Sequence, residues 1–490
     1  MSTFYFSILL GLPLLSSLFC AVVHRRRWFE ITTLLSSGLV LLVTLDMTTL
    51  VMQGVTLKTP KEWFCVDALS MYLMVIISGS TVVAALYSVG YLHNQIRRRN
   101  VDAPMLRLYY VLLNVFLFTM LLVLISNNLG FLWIGTESTT LATAFLVAFY
   151  EREGSIEAAW KYVIICSVGI ALALFGIILT YFSALHIVTS GASAMNWSTL
   201  VLVARQLDPD ILKLAFIFIL VGFGTKAGLA PMHTWKPDAY SEAPAPISAL
   251  MATGLVNVAI YALLRFFIIV NKAVDGNFAS NLFIIFGLGS MIIAVPFILI
   301  QRDFKRLLAY SSVEHVGIIV FAFGIGTHLG YFGGLLHMLN NSLAKLILFL
   351  TAGNIRLAYN SKIIRRVTGA IKVIPVTATL FILGVFAITG WPPFGVFTSE
   401  MSIVTAGFSS GMVFPSILFV CIVATIFIGF IYYATGMVFG EPNQPIKNGD
   451  TGVTALSVLG ILVIFLLITG TMIPSFLVNF IQNAVAIIQR

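Results

Sequence analysis

The sequence predicts an all-α polytopic membrane protein of about fourteen transmembrane helices, and two observations carry that reading. Of 490 residues, 59% are hydrophobic and only 10% are charged, with a mean hydropathy of +1.01. A soluble domain needs roughly a quarter of its residues charged to hold its surface in water. The apolar residues also fall in runs of about 20, the length that crosses a hydrocarbon core of about 30 Å. No Gly/Ser-rich or Pro-rich linker divides the runs, so residues 1–490 read as a single integral membrane domain.

Taken in order, the spans are expected at 3–23, 31–54, 68–91, 108–126, 129–150, 160–184, 212–230, 244–270, 280–300, 307–327, 330–352, 373–409 with a break, 413–440 and 452–476. The first lacks a charged n-region and a small-residue cleavage site, so it reads as a retained span and not a signal peptide. Cytoplasmic loops retain Lys and Arg, which tests the count. Odd-numbered loops hold 19 of the 28 basic residues, from Arg25-Arg26-Arg27 through Arg97 to Arg99, Arg107, Arg152, Lys161, Lys236, Arg302, Lys305 and Arg306 to Arg356, Lys362, Arg365, Arg366, Lys372 and Lys447. Even loops and tails hold Lys58, Lys61, Arg205, Lys213, Lys272 and Arg490. The alternation places odd loops in the cytoplasm and both termini outside. The net charge of +9 therefore reports topology, and without a concentrated basic patch no nucleic-acid partner is expected.

Two spans are interrupted. The seventh runs into Gly228-Leu-Ala-Pro231 and a polar stretch from His233 to Glu242, and the twelfth into Thr389-Gly-Trp-Pro-Pro-Phe-Gly395. Proline removes a backbone donor, and inside lipid the freed carbonyls need partners, so broken helices are found lining polar cavities. A matching pair points to inverted repeats with a site near the midplane. The expected organisation is two inverted five-helix repeats, spans 4–8 (residues 108–270) and 9–13 (residues 280–440). Spans 1–3 (residues 1–107) and span 14 with its tail (residues 452–490) flank them.

A charged side chain in mid-helix costs on the order of 3 kcal/mol on insertion scales, so such residues usually face a partner or a wet path. Glu137 lies in the fifth span, Lys226 just before the first break and Glu400 just after the second. Between them come His315 beside Glu314, then His337, Asn341 and Lys345 at i, i+4, i+8 on one helix face, with Asn257 in the eighth span. Carboxylate, amine and imidazole in alternation suit proton transfer: a carboxylate approaching a buried lysine changes its hold on a proton, and histidine relays near neutrality. Structural readings stand beside these. Glu137 and Lys226 would equally form a static ion pair, Lys345 would snorkel to the cytoplasmic end, and His315 would be a hydrogen-bonded structural histidine. His233 would serve the path or cap freed backbone. Asp238 and Glu242 are placed at the cytoplasmic surface, Arg265 is read as snorkelling, and Asp46 has no evident partner.

The segment Lys226-Ala-Gly-Leu-Ala-Pro-Met-His-Thr-Trp-Lys-Pro-Asp-Ala-Tyr-Ser-Glu-Ala-Pro resembles the broken seventh helix of the antiporter-like subunits of respiratory complex I. Asp303-Phe-Lys-Arg-Leu-Leu-Ala-Tyr-Ser-Ser with His315, and Gly390-Trp-Pro-Pro-Phe-Gly-Val-Phe-Thr-Ser-Glu400, resemble other signatures of that family, which includes subunits of Mrp-type antiporters and membrane-bound hydrogenases. Trp133-Ile-Gly-Thr-Glu-Ser-Thr-Thr with Ala158-Ala-Trp-Lys-Tyr resembles hydrogenase-4 component F most. The resemblance implies that Glu137, Lys226, His315, His337, Lys345 and Glu400 hold the family's proton-path positions. Asn257 falls where several members carry Lys or His, and an amide carries no proton as those do. It also implies a subunit of the cell inner (plasma) membrane, with other membrane subunits and the lipid bilayer as partners and H⁺ or Na⁺ as the transported ion. Such subunits hold no redox centre. The four cysteines, with no CxxC pair, give no metal or iron–sulfur motif, so no cofactor is expected. The expected function is proton translocation in a redox-driven complex of the group 4 membrane-bound hydrogenase or formate hydrogenlyase type; a Na⁺/H⁺ antiporter subunit and a quinone-linked, NADH dehydrogenase-like membrane subunit are the alternatives.

Overall fold

The computed structural model describes residues 2–188, 191, 193–443, 446, 449–450 and 453–489. Two of the loop cations, Lys447 and Arg490, lie outside the described residues. The chain folds as a polytopic helical membrane protein. Its helices are α1 (Ser2–Val22), α2 (Arg26–Met52), α3 (Ala68–Arg97), α4 (Ala103–Ile125), α5 (Leu129–Val147), α6 (Glu153–Ala184), α7 (Trp197–Val203), α8 (Pro209–Ala227) and α9 (Trp235–Glu242). There follow α10 (Ala245–Ala273), α11 (Phe278–Leu299), α12 (Phe304–Gly324), α13 (His328–Tyr359), α14 (Pro375–Ile388), α15 (Gly395–Ser409), α16 (Val413–Val438), α17 (Val453–Thr471) and α18 (Ser475–Ile488). Ten described helices are long and apolar enough to cross a membrane, and the α17–α18 pair, bent by 75°, passes the same test only when joined.

Short polar side chains set where several helices begin. Asp67, Asp102, Asn128, Asp208, Asp303 and Thr327 each sit just before a helix and accept from its first free backbone N–H groups, groups that have no partner within the helix itself. The start of α14 is capped from a distance: Asp450 accepts from the backbone of Val376 and Thr377 at 2.9 Å each.

Burial sorts the helices. The most apolar stretch of α10 is 100% buried and those of α12 and α13 are 94% and 89% buried, against 33% for α1, α2 and α16. The first three form a central column; the others turn apolar faces outward, as lipid requires. Within α10, one π turn at Met251–Leu255 interrupts the α geometry, a feature with no counterpart in the periodicity of the sequence.

The expected segments overlap described helices, of which ten, or eleven with the bent pair, are long and apolar enough to span, with differences at the edges. Both α3 and α6 reach further toward the basic loops than the apolar runs do, because charged residues extend a helix beyond lipid at no cost. The expected tail after residue 476 is α18, an amphipathic helix packed on α3. A small antiparallel ribbon, β1 (Leu57–Lys58) with β2 (Cys65–Val66), joins α2 to α3.

Three expectations are corrected. Arg265 does not snorkel: it is 3% exposed and grips Asp67 through Nη1 at 2.7 Å and Nη2 at 2.8 Å, also reaching Ser70 and the Tyr261 hydroxyl. Its guanidinium lies 4.1 Å from the Trp197 ring centroid. A forked, planar cation matches a carboxylate in two places, which offsets the cost of burying both. Lys236 and Lys305 are not loop residues in water but are 0% and 1% exposed, each donating to backbone carbonyls. Asp46 has a partner after all, the Tyr5 hydroxyl at 2.6 Å.

Asp67→Asn leaves the Arg265 charge buried with half its partners. The expected loss is roughly 3 kcal/mol or more, read as a lower melting temperature of the detergent-solubilised protein. Asp67→Asn combined with Arg265→Met recovers most of it.

Candidate functional site

The site begins at the first break. Helix α8 ends at Ala227 because Gly228 turns left-handed, at φ +83°. The N–H groups of Gly228 and Leu229 both return to the Gly224 carbonyl. Trp235 Nε1 donates to the Thr225 carbonyl at 2.9 Å and Lys236 Nζ to the Ala227 carbonyl at 2.8 Å. The carbonyls freed by the break are thus satisfied by side chains from the segment just after it, as a dry interior demands.

Lys226, on the last turn of α8, is 1% exposed. Its ammonium donates to Thr140 Oγ1 at 2.5 Å and to the Tyr162 hydroxyl at 3.0 Å. Thr140 in turn donates to Glu137 Oε2 at 3.2 Å, and Ser167 to Glu137 Oε1 at 2.9 Å. Glu137 and Lys226 are therefore joined through a threonine hydroxyl and not by direct contact. Glu137 itself is half-buried between α5 and α6. Asn257 is 1% exposed and donates to Ser342 Oγ at 2.9 Å, while Ser342 donates to the Met338 carbonyl. His233, 6% exposed, packs near the rings of Phe297 and Tyr310, with its Nδ1 unpaired.

The second group of charges lies among α12, α13 and α15. Lys345 is fully buried and does not snorkel; its ammonium donates to Ser311 Oγ at 2.6 Å and to the Leu308 carbonyl at 3.1 Å. His315 Nδ1 and His337 Nε2 share a hydrogen bond of 2.9 Å, and His337 Nδ1 meets Ser399 Oγ at 2.9 Å. Glu400, one residue on, is 7% exposed and Glu314 4%. Both line a cleft too narrow for water, together with Ser311 and Thr389. The second break repeats the device of the first: Gly390 is left-handed at φ +69°, and a Cβ there would lie 2.2 Å from Glu400 Oε2.

His315, His337 and Glu400 place ligand-type atoms within 4.8 Å of one another. Three of the four ring nitrogens are already engaged with each other or with Ser399, an arrangement that suits a shared, mobile proton better than a metal ion. The arrangement as a whole offers donors and acceptors in sequence.

The family described as NADH:quinone oxidoreductase/Mrp antiporter, TM, matches residues 126–428, a stretch that contains every one of these groups. The chain belongs to that family. A hydrogenase-4 component F homolog of Methylacidiphilum infernorum is 39% identical over 426 residues, covering 86% of this chain and 88% of the relative. Two solved structures share the fold. A subunit of the Mrp complex from Dietzia sp. DQ12-45-1b matches with a TM-score of 0.88 at 18% identity, covering 99% of this chain and 98% of that one. A subunit of the archaeal membrane-bound sulfane sulfur reductase matches at 0.87 and 22%, covering 99% and 97%.

Within this family member, sequence reasoning missed the hydroxyls that meet the charges (Thr140, Tyr162, Ser167, Ser311 and Ser399) and the burial of Lys236. The hydroxyls carry no signal of their own, since Ser and Thr in membrane helices usually bond their own backbone. Lys236 was hidden by its polar neighbours, which read as a loop.

Thr140→Val removes the hydroxyl between Glu137 and Lys226 while keeping the shape. A lost hydrogen bond of about 1.4 kcal/mol corresponds to about a tenfold slower proton transfer, measured as the initial rate of proton uptake by membrane vesicles carrying the assembled complex. Thr140→Ser retains the rate.

Proposed function

We propose that the chain is the proton-translocating, antiporter-like membrane subunit of a redox-driven complex, of the membrane-bound hydrogenase or formate hydrogenlyase type. One observation carries the reading: a half-buried carboxylate joined to a buried amine through a hydroxyl, Glu137–Thr140–Lys226, and a second group of buried ionisable side chains in which His315 meets His337 directly, with Lys345 on Ser311, His337 on Ser399 and Glu400 alongside. Such a series costs several kcal/mol to bury and is kept where charge must move. The relative named hydrogenase-4 component F homolog supports the choice of complex. In this reading Glu137 and Lys226 gate the entry, His337 and Lys345 make the middle, and Glu400 is the exit.

The two breaks also support the organisation in inverted repeats, α4–α10 and α11–α16. Each carries a left-handed glycine, Gly228 and Gly390, and each is crossed by a buried charged side chain. The protein sits in the inner (plasma) membrane with both termini outside, among other membrane subunits. The fold shared with an Mrp complex subunit favours sodium/proton antiport as the second reading. Copurification separates the two: iron–sulfur or hydrogenase-like subunits belong to the first, and their absence from an intact complex to the second.

Membranes carrying Glu137→Gln or Lys226→Ala, energised with the electron donor that the copurifying subunits accept, are expected to lose proton pumping by roughly a hundredfold, the scale of a deleted proton-transfer group. Electron transfer continues or slows with it. Undiminished pumping in both variants overturns the proposal.

A further inference from the structure

Lys236 has no assigned part in this path, and Asn257, in the middle of α10, holds an amide whose hydrogen bond ends in backbone through Ser342. Lys236 is fully buried. Its Nζ donates to the Ala227 carbonyl at 2.8 Å and the Ser312 carbonyl at 3.3 Å. Ala227 directly follows Lys226 on α8. Ser312 directly follows Ser311 on α12, the serine that receives Lys345 at 2.6 Å. The amine therefore stands between the last residue of one charged group and the first of the other. Among the described residues no carboxylate lies within ion-pairing distance of it. The titratable groups that face it are Lys345 and Cys166, His233 and His315, and Tyr240 offers a ring face at 5.7 Å.

The room for it is specific. A Cβ on Gly228 would meet Lys236 Cδ at 2.7 Å and Nζ at 3.0 Å, just as a Cβ on Gly390 would meet Glu400. Each break thus uses one left-handed glycine both to end a helix and to let an ionisable side chain fold back over it. Lys236 holds in the first break the place that Glu400 holds in the second.

We propose that Lys236 is the proton carrier that joins the two groups of charges, in place of the amide at Asn257; this rests on the proton-path reading above. Its Nζ lone pair takes up a proton released by the Lys226 ammonium and gives it to the Lys345 amine, so that one N–H bond forms as another breaks and no net charge is left behind. A buried ammonium with no counter-ion is costly to keep, which suits a carrier occupied only in passing. The competing role is structural, a fixed cation that caps the α8 carbonyls.

Arginine separates the two roles, because a guanidinium donates to carbonyls and stays charged but does not give up its proton in a protein. The purified complex, with assembly checked on native gels, is reconstituted in pyranine-loaded liposomes, and proton flux is driven by its own electron donor. Lys236→Arg and Lys236→Met are expected to lose flux at least tenfold, and Lys236→His to retain a measurable part with a rate profile displaced toward lower pH. Where Lys236→Met fails to assemble, the Arg and His variants decide. Wild-type flux in Lys236→Arg with loss in Lys236→His makes the residue a structural cap and overturns the inference. Wild-type flux in all three also overturns it, while Lys226→Ala, run in parallel, still blocks. If Lys226→Ala conducts as well, it is the proton-path reading itself that has failed.

Discussion

The structure depends on one constraint: in hydrocarbon, a backbone carbonyl without a partner costs several kcal/mol. A continuous helix meets it automatically. A broken helix meets it only if side chains are brought to the freed carbonyls, and the first break brings Trp235 and Lys236. The central column of α10, α12 and α13 excludes lipid from that region, so polar groups gathered there face each other and not acyl chains. Once a polar pocket exists at a break, the cost of adding Lys226 or Ser312 nearby falls, because partners are already in place. The breaks are therefore the reason the charges collect where they do.

This explains what was legible beforehand. The helices were legible because lipid imposes both their length and their composition, and the breaks because Pro231, Pro392 and Pro393 cannot continue a helix. The ionisable members of the candidate site, Glu137, Lys226, His315, His337, Lys345 and Glu400, stood out because charge in mid-helix is costly. What was illegible depended on long-range contacts. Arg265 reads as a helix-end cation until Asp67, 198 positions away, is seen to pair with it. Lys236 sits in a stretch as polar as any loop, and only the glycine it covers marks it as interior. The π turn before Asn257 and the amphipathic α18 leave no mark in a count of apolar residues.

The hydroxyls decide how such a site can work. At an effective dielectric near 20, a carboxylate about 4 Å from an ammonium holds it by about 4 kcal/mol, and at about 6 Å by just under about 3 kcal/mol. The difference is about a factor of ten in the ease of proton release. Thr140 keeps Glu137 and Lys226 bonded to a common oxygen without bringing them into contact. Ser311 receives Lys345, and Ser399 receives His337 while donating to the Val396 carbonyl. Direct ion pairs at these positions would make the chain more rigid and trap the charge, as the Asp67–Arg265 pair does where no charge need move. A hydroxyl both donates and accepts, so in the proposed path it would pass a proton in either direction, and the contacts that satisfy the charges would leave them free to exchange one.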